Sequence, residues 1–264
     1  MAPILTLTSA QLNAWMLTFL WPFVRMLSLV ASAPLFGETV VPRSFKVILA
    51  ALLAVVIAPT LAPMPAVAPV SAAGLWILLQ QVLIGAAMGF AMRMVFALVQ
   101  VAGDYVGLQM GLSFATFFDP TSGGNTMVLG RLLNVLAMLL FLSVDGHLLL
   151  IGTLAESFRS LPIADGPLAR GGWAVLVAAG ADIVTGALML ALPLMATLLS
   201  LNLAMGILNR VSPQFSIFSV GFPITLLAGV ALLQLLMRYL APFMVPRFDA
   251  GLDLVQQTLL NLRP

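Results

Sequence analysis

The chain has 264 residues, of which 62% are apolar and only 8% are Asp, Glu, Lys or Arg. A soluble domain usually carries about 25% charged residues, so a water-exposed globule of this size lacks the polar groups to cover itself, and lipid or a large assembly must do so. The net charge is +2 from eleven basic and nine acidic residues, with no cysteine and one histidine, His147. These numbers exclude disulfides and thiolate sites, leave no conventional His-based metal site or triad, and argue against nucleic acid as a partner because no basic cluster exists.

A bilayer-spanning helix needs about 20 mostly apolar residues, and six segments qualify. The first runs from about Leu12 to Pro34 and contains Arg25. No Lys or Arg precedes it, so a signal peptide with a basic leader is not expected and the segment should stay in the mature protein. A short polar turn with Gly37, Glu38, Pro42 and Arg43 leads into the second, about Phe45 to Ala62. After a proline-rich, uncharged link comes the third, about Ala73 to Ala102, with Gln80, Gln81, Arg93 and Gln100 inside it.

The stretch from Gly103 to Asn125 reads as a long irregular region, and the fourth segment, about Thr126 to Ile151, is interrupted by Arg131 and Asp145. A polar loop with Pro162 and Pro167 precedes the fifth, about Ala174 to Leu208, which carries Asp182 and Pro193. The sixth, about Phe215 to Leu240, is followed by a weakly amphipathic tail from Asp249 to Pro264.

No charge interrupts Val47 to Met92, Ile183 to Asn209, or Val211 to Met237. In lipid only helices or closed barrels satisfy every backbone group. Barrel strands would alternate polar and apolar residues, which these runs do not, so the fold class is all-α, a multi-helix membrane-class protein of one domain. The positive-inside rule does not orient it. Arg159, Arg170, Arg247 and Arg263 fall on one side, and Arg43, Lys46, Arg131 and Arg210 on the other.

Gly103, Gly107 and Gly111 recur every four residues, and Gly85 and Gly89 make a shorter stripe. Such stripes let helix backbones approach closely, and packing is the plain reading. The sharper reading is a smooth wall past which something moves. Met110 lies within the stripe, where a thioether either packs or seals flexibly against a partner. Phe114, Phe117 and Phe118 follow, then Asp119-Pro120 and a Gly123-Gly124 turn. A bulky cluster beside a proline-broken, glycine-rich loop is either a constriction or an aromatic core beside an ordinary loop. Arg25, Arg93, Asp182, Arg210 and Arg238 lie in or at the ends of apolar segments and must pair, snorkel or face a wet interior. Pairing between helices or subunits is the plain reading, and a proton or ion path the alternative. No phosphate-binding Gly-Lys-Ser/Thr motif is present, so any driving energy comes from elsewhere.

These motifs, in this order, resemble the flagellar biosynthetic protein FliR family. The resemblance rests on Arg25, Pro34, Phe36-Gly37, Pro42 and Lys46; on Leu83-Ile84-Gly85 with Gly89-Phe90; and on Ala102-Gly103 with Gly107-Leu108-Gln109-Met110-Gly111 and Asp119-Pro120. Asp145-Gly146-His147, Leu192-Pro193, Asn202, Arg210, Pro213-Gln214 and Gly221-Phe222-Pro223 continue it, over about residues 12 to 245. The sequence departs from the pattern at Gln81, where an acid is expected nearby, at Ser216 in place of asparagine, and at Asp104 in place of glutamate.

The resemblance implies a non-catalytic subunit of the type III export gate, without cofactor or metal. A FliP-like part (about 1–180) would precede a FliQ-like part (about 181–264). FliP-like and FliQ-like subunits, an FlhB-like protein and the basal-body ring are the implied partners, and unfolded flagellar proteins the cargo. The implied place is the bacterial inner membrane and flagellar basal body, with the complex largely above the membrane plane on the periplasmic side. The resemblance further assigns Gly107, Gln109, Met110, Gly111, Phe114, Phe117, Phe118, Asp119 and Pro120 to an inward plug loop. Two alternatives remain: a virulence type III system, from which the Gln109-Met110-Gly111 and Gly221-Phe222-Pro223 forms lean away, and a self-contained small-molecule transporter, which the sparse intramembrane acids disfavour.

Overall fold

The computed structural model describes residues 9–62, 64–112, 128–212 and 220–263. Within them the regular structure is helical, with no strand. The helices are α1 (Ser9–Ser32), α2 (Arg43–Ile57), α3 (Ala72–Gln109), α4 (Val128–Ser143), α5 (Gly146–Ser160), α6 (Gly171–Val211) and α7 (Phe222–Asn261). A short 3-10 turn, Ala58–Thr60, extends α2. Five of the helices are long and apolar enough to cross a membrane, or six spans if the bent pair α4–α5 counts as one.

Three boundaries differ from the sequence reading. Helix α3 continues seven residues past Ala102 to Gln109. The expected single fourth segment is two helices bent by 69°. Asp145 adopts the left-handed conformation (φ 56°) at that break, one that Asp tolerates better than most side chains. The Phe141 ring occupies the space where a side chain on Gly146 would stand, so the break depends on a residue without Cβ. Finally, the tail is not a separate element. Helix α7 runs through Pro242 and Pro246 to Asn261, held by buried Met244, Phe248, Val255 and Leu259.

The chain forms two compact units. Unit 1 comprises Met1–Arg93, His147–Ala178 and Ala250–Pro264, and unit 2 comprises Met94–Gly146 and Ala179–Asp249. In unit 1, buried Leu17, Trp21 and Ile77 pack together, with Met64, Val67 and Ile163 against them. The glycine pair of α3 lies on α1. A Cβ on Gly85 would overlap the Arg25 carbonyl oxygen, and one on Gly89 the Ser32 hydroxyl. Ser28 exploits this approach by donating its hydroxyl to the Val82 carbonyl at 2.6 Å. In unit 2 the core is aromatic. The Phe96 ring stacks on Phe248 at 5.6 Å and meets Phe141 edge-on at 5.5 Å, while Phe141 and Phe248 are 5.1 Å apart, separations at which aromatic pairs attract.

Candidate functional site

Unit 1 contains a fully buried arginine. Arg25 of α1 donates through Nε to Gln81 Oε1 of α3 at 2.8 Å. Its Nη1 donates to the Ser157 carbonyl at 3.0 Å and the Ser157 hydroxyl at 3.1 Å, and its Nη2 to the Leu161 carbonyl at 3.0 Å. The guanidinium carbon sits 4.3 Å over the Phe158 ring. Ser157, Ser160 and Leu161 surround the carboxyl end of α5, where helix carbonyls lack internal donors and the dipole is negative. A cation in an apolar helix is therefore stabilised by one amide, one hydroxyl, two carbonyls and a ring face, without a carboxylate.

Near it, Gln80 donates to the Gly166 carbonyl, and Arg263, just beyond the end of α7, donates to the Ser160 carbonyl. Together these bonds fix the polar loop after α5 to α1, α3 and the end of α7. Sequence reasoning identified Arg25 as a charge needing a partner but missed Gln81 and Ser157 as that partner. The signal was an amide in the middle of an apolar run.

The other four ionisable residues singled out in the sequence behave differently. Arg93, Asp182, Arg210 and Arg238 are exposed on the chain. Among the described residues the ion pair formed is Arg159–Glu156, at 3.4 Å on the surface.

In unit 2 the glycine series has three separate roles. At Gly103, α3 meets α4 backbone to backbone, and a Cβ there would lie 2.6 Å from Gly130 Cα. Gly107 faces looser space, where a Cβ would meet the Leu129 side chain at 3.6 Å. Gly111 is not on the helix but ends it, at φ 81°. The Gly111 amide donates to Leu108 and the Leu112 amide to Gly107, each at 3.0 Å, which is the Schellman termination that favours glycine. Met110 is buried in the notch left by Gly229 of α7. The Gln109 carbonyl accepts from Asn202 Nδ2 at 3.3 Å. The end of α3 is thus pinned by α4, α6 and α7.

The Asp104 carboxyl lies directly against Gly130. Its Oδ1 is buried without a hydrogen-bond partner among the described residues, as is Oδ1 of Asn134, one turn beyond Gly130 on α4. Phe114, Phe117, Phe118, Asp119 and Pro120 lie outside the described residues. No group of three metal-type ligands occurs among the described residues.

Long apolar helices, small-residue contacts and a charge solvated within the chain define a multi-span helical membrane protein. The model for bacterial export proteins, family 1, matches residues 16–251, and the chain belongs to that family. It is 47% identical over 259 residues to the flagellar biosynthetic protein FliR of Pectobacterium carotovorum subsp. carotovorum, covering 98% of both chains. It is 46% identical over 258 residues to FliR of Escherichia coli (strain K12), again over 98% of each. With FliR of Bacillus subtilis (strain 168) it shares 29% over 248 residues, 92% of this chain and 93% of that one.

Proposed function

We propose that this chain is a non-catalytic subunit of the flagellar type III protein export gate. With FliP-like and FliQ-like subunits it forms the channel for unfolded flagellar proteins, and it meets an FlhB-like protein within the basal-body ring. Full-length similarity to FliR carries this reading, and it favours the flagellar over the virulence system.

Helix length supports it physically. Helices α3, α6 and α7 have 38, 41 and 40 residues. At 1.5 Å per residue each is about 60 Å along its path, about twice the hydrocarbon thickness of a bilayer. Leu199, Leu203 and Ile207 on α6, and Leu227, Val230 and Leu235 on α7, remain exposed apolar residues in the isolated chain. Apolar surface longer than a membrane is thick requires protein cover as well as lipid. In this reading the amino-terminal part, about 1–180, is FliP-like, and the part from about 181 is FliQ-like. The complex stands largely above the inner membrane on its periplasmic side, and Asp182 and Arg210 make subunit contacts.

Phe114, Phe117 and Phe118, with Asp119-Pro120, act as the plug that blocks small-solute leak at rest. The pinned end of α3, from Gly107 through Gln109 and Met110 to Gly111, is the base from which that segment departs. The deciding measurement is the mass and composition of the complex that co-purifies with the chain in mild detergent. One copy within a large FliP- and FliQ-like assembly is expected; a monomer or homodimer despite co-expressed partners would overturn the reading. Gly107→Leu and Gly111→Leu should impair assembly or export, and unchanged motility in both would remove the role given to this stretch.

A further inference from the structure

The charge-free run from Val47 to Met92 is bounded by two cations, Lys46 and Arg93, and the fold brings both to one peptide. Lys46 Nζ donates to the Gly37 and Glu38 carbonyls, each at 3.0 Å. Arg93 approaches the same glycine from α3: a Cβ on Gly37 would lie 2.9 Å from Arg93 Nη2. Arg43, one helical turn before Lys46 on α2, is exposed, and residues three apart on a helix share a face. Glu38 is the acid of this turn, yet it makes no ion pair with any of the three among the described residues. Lys46 and Arg93 therefore meet at Gly37, with Arg43 one turn along α2 and the single acid Glu38 unpaired, so this turn carries a net positive charge at the end of an out-and-back apolar hairpin.

The surroundings specify what kind of anion fits. Val40, Phe45 and Ile48 are exposed beside the cations, and so is Phe90, three residues before Arg93. A free inorganic anion has no use for such flanks, whereas acyl chains do. Exposed aromatics beside Lys and Arg are the pairing found where a protein meets lipid headgroups.

We propose that Arg43, Lys46 and Arg93 hold the phosphate of an anionic phospholipid headgroup, with its acyl chains along the Phe45 and Phe90 side. The site makes this end of the α1–α2 turn an anchor in the bilayer surface. The proposal does not depend on the export role.

The test is native mass spectrometry of the full chain, with the subunits that accompany it, in mild detergent titrated with phosphatidylglycerol, phosphatidylcholine or inorganic phosphate. Retained phosphatidylglycerol is expected, falling about fivefold for each of Arg43→Gln and Arg93→Gln. Phosphatidylcholine adducts should not change, and Arg238→Gln, at another exposed arginine, should have no effect. Arg43→Gln alters an exposed side chain at a helix start, so its result stands even if Arg93→Gln weakens the fold. Equal retention by wild type and Arg43→Gln would overturn the proposal. So would an equal loss in Arg238→Gln, or displacement of phosphatidylglycerol by millimolar phosphate.

Discussion

Around Arg25 every guanidinium nitrogen has an acceptor within 3.1 Å, whereas around Asp104 a buried carboxyl oxygen has no donor among the described residues. Both residues sit where a glycine lets two helices touch: Gly85 beside the Arg25 backbone, and Gly130 beneath the Asp104 carboxyl. The first arrangement is completed by the described helices and belongs to the fold. The second is not completed by them. A buried polar group costs little when its partners are built in and much when they are missing. The contrast therefore marks Arg25 as a residue of the fold and Asp104 as the place to look for a further partner.

The largest expected effect breaks the completed site. Arg25→Met strands Gln81 Oε1 and the Leu161 carbonyl, while the Ser157 carbonyl keeps its bond from the Leu161 amide. At about 1–3 kcal/mol for each unsatisfied buried acceptor, thermal unfolding in detergent should show a loss on the order of 3 kcal/mol or more. Next come the close contacts. Gly85→Ala and Gly103→Ala place a methyl against backbone and should each cost about 1–3 kcal/mol, while Gly107→Ala, with ordinary contact distances around it, should be neutral or gain up to about 1 kcal/mol from helix propensity. Equal costs at all three positions would mean that the glycines share one role after all.

Gly111→Ala forces an alanine into the left-handed region and should cost about 1 kcal/mol, with Gly111→Asn restoring part of it. The smallest expected effect sharpens the opening comparison. Asp104→Asn removes a charge whose buried oxygen has no partner among the described residues, so unfolding should shift by less than about 1 kcal/mol; a larger shift would mean that the carboxylate is paired within the chain.

Much of this was legible in the sequence because the governing signals are local. Charge-free runs became α2, α3 and α6, and the Gly85–Gly89 spacing became a contact with α1. What escaped was set by partners distant in the chain. The bend after α4 has the Phe141 ring over Gly146, a contact that the sequence marks only as an interruption at Asp145 within one segment. The sixth segment was expected to end near Leu240, yet α7 continues through Pro242 and Pro246 with Met244 and Phe248 buried. For Arg25 an acid was the natural partner to seek; Gln81 stood out only as an amide in an apolar run, and nothing in Ser157 or Leu161 distinguishes them as acceptors until their contact with α1 is seen. In the α3 glycine series, equal spacing concealed unequal surroundings, since a period of four cannot tell a packed glycine from one that ends a helix.

The Arg25 bonds also set a schedule for biosynthesis. Its acceptors on and after α5 are 132 and 136 residues downstream. At about 5–20 residues per second of synthesis, α1 waits on the order of ten seconds before the groups that neutralise its arginine exist. During that interval the helix carries an incompletely solvated cation in an apolar setting, so its final seating belongs to a late stage of the chain's emergence. A chain truncated before Ser157 should be an unstable, degradation-prone intermediate, however apolar its first three helices are.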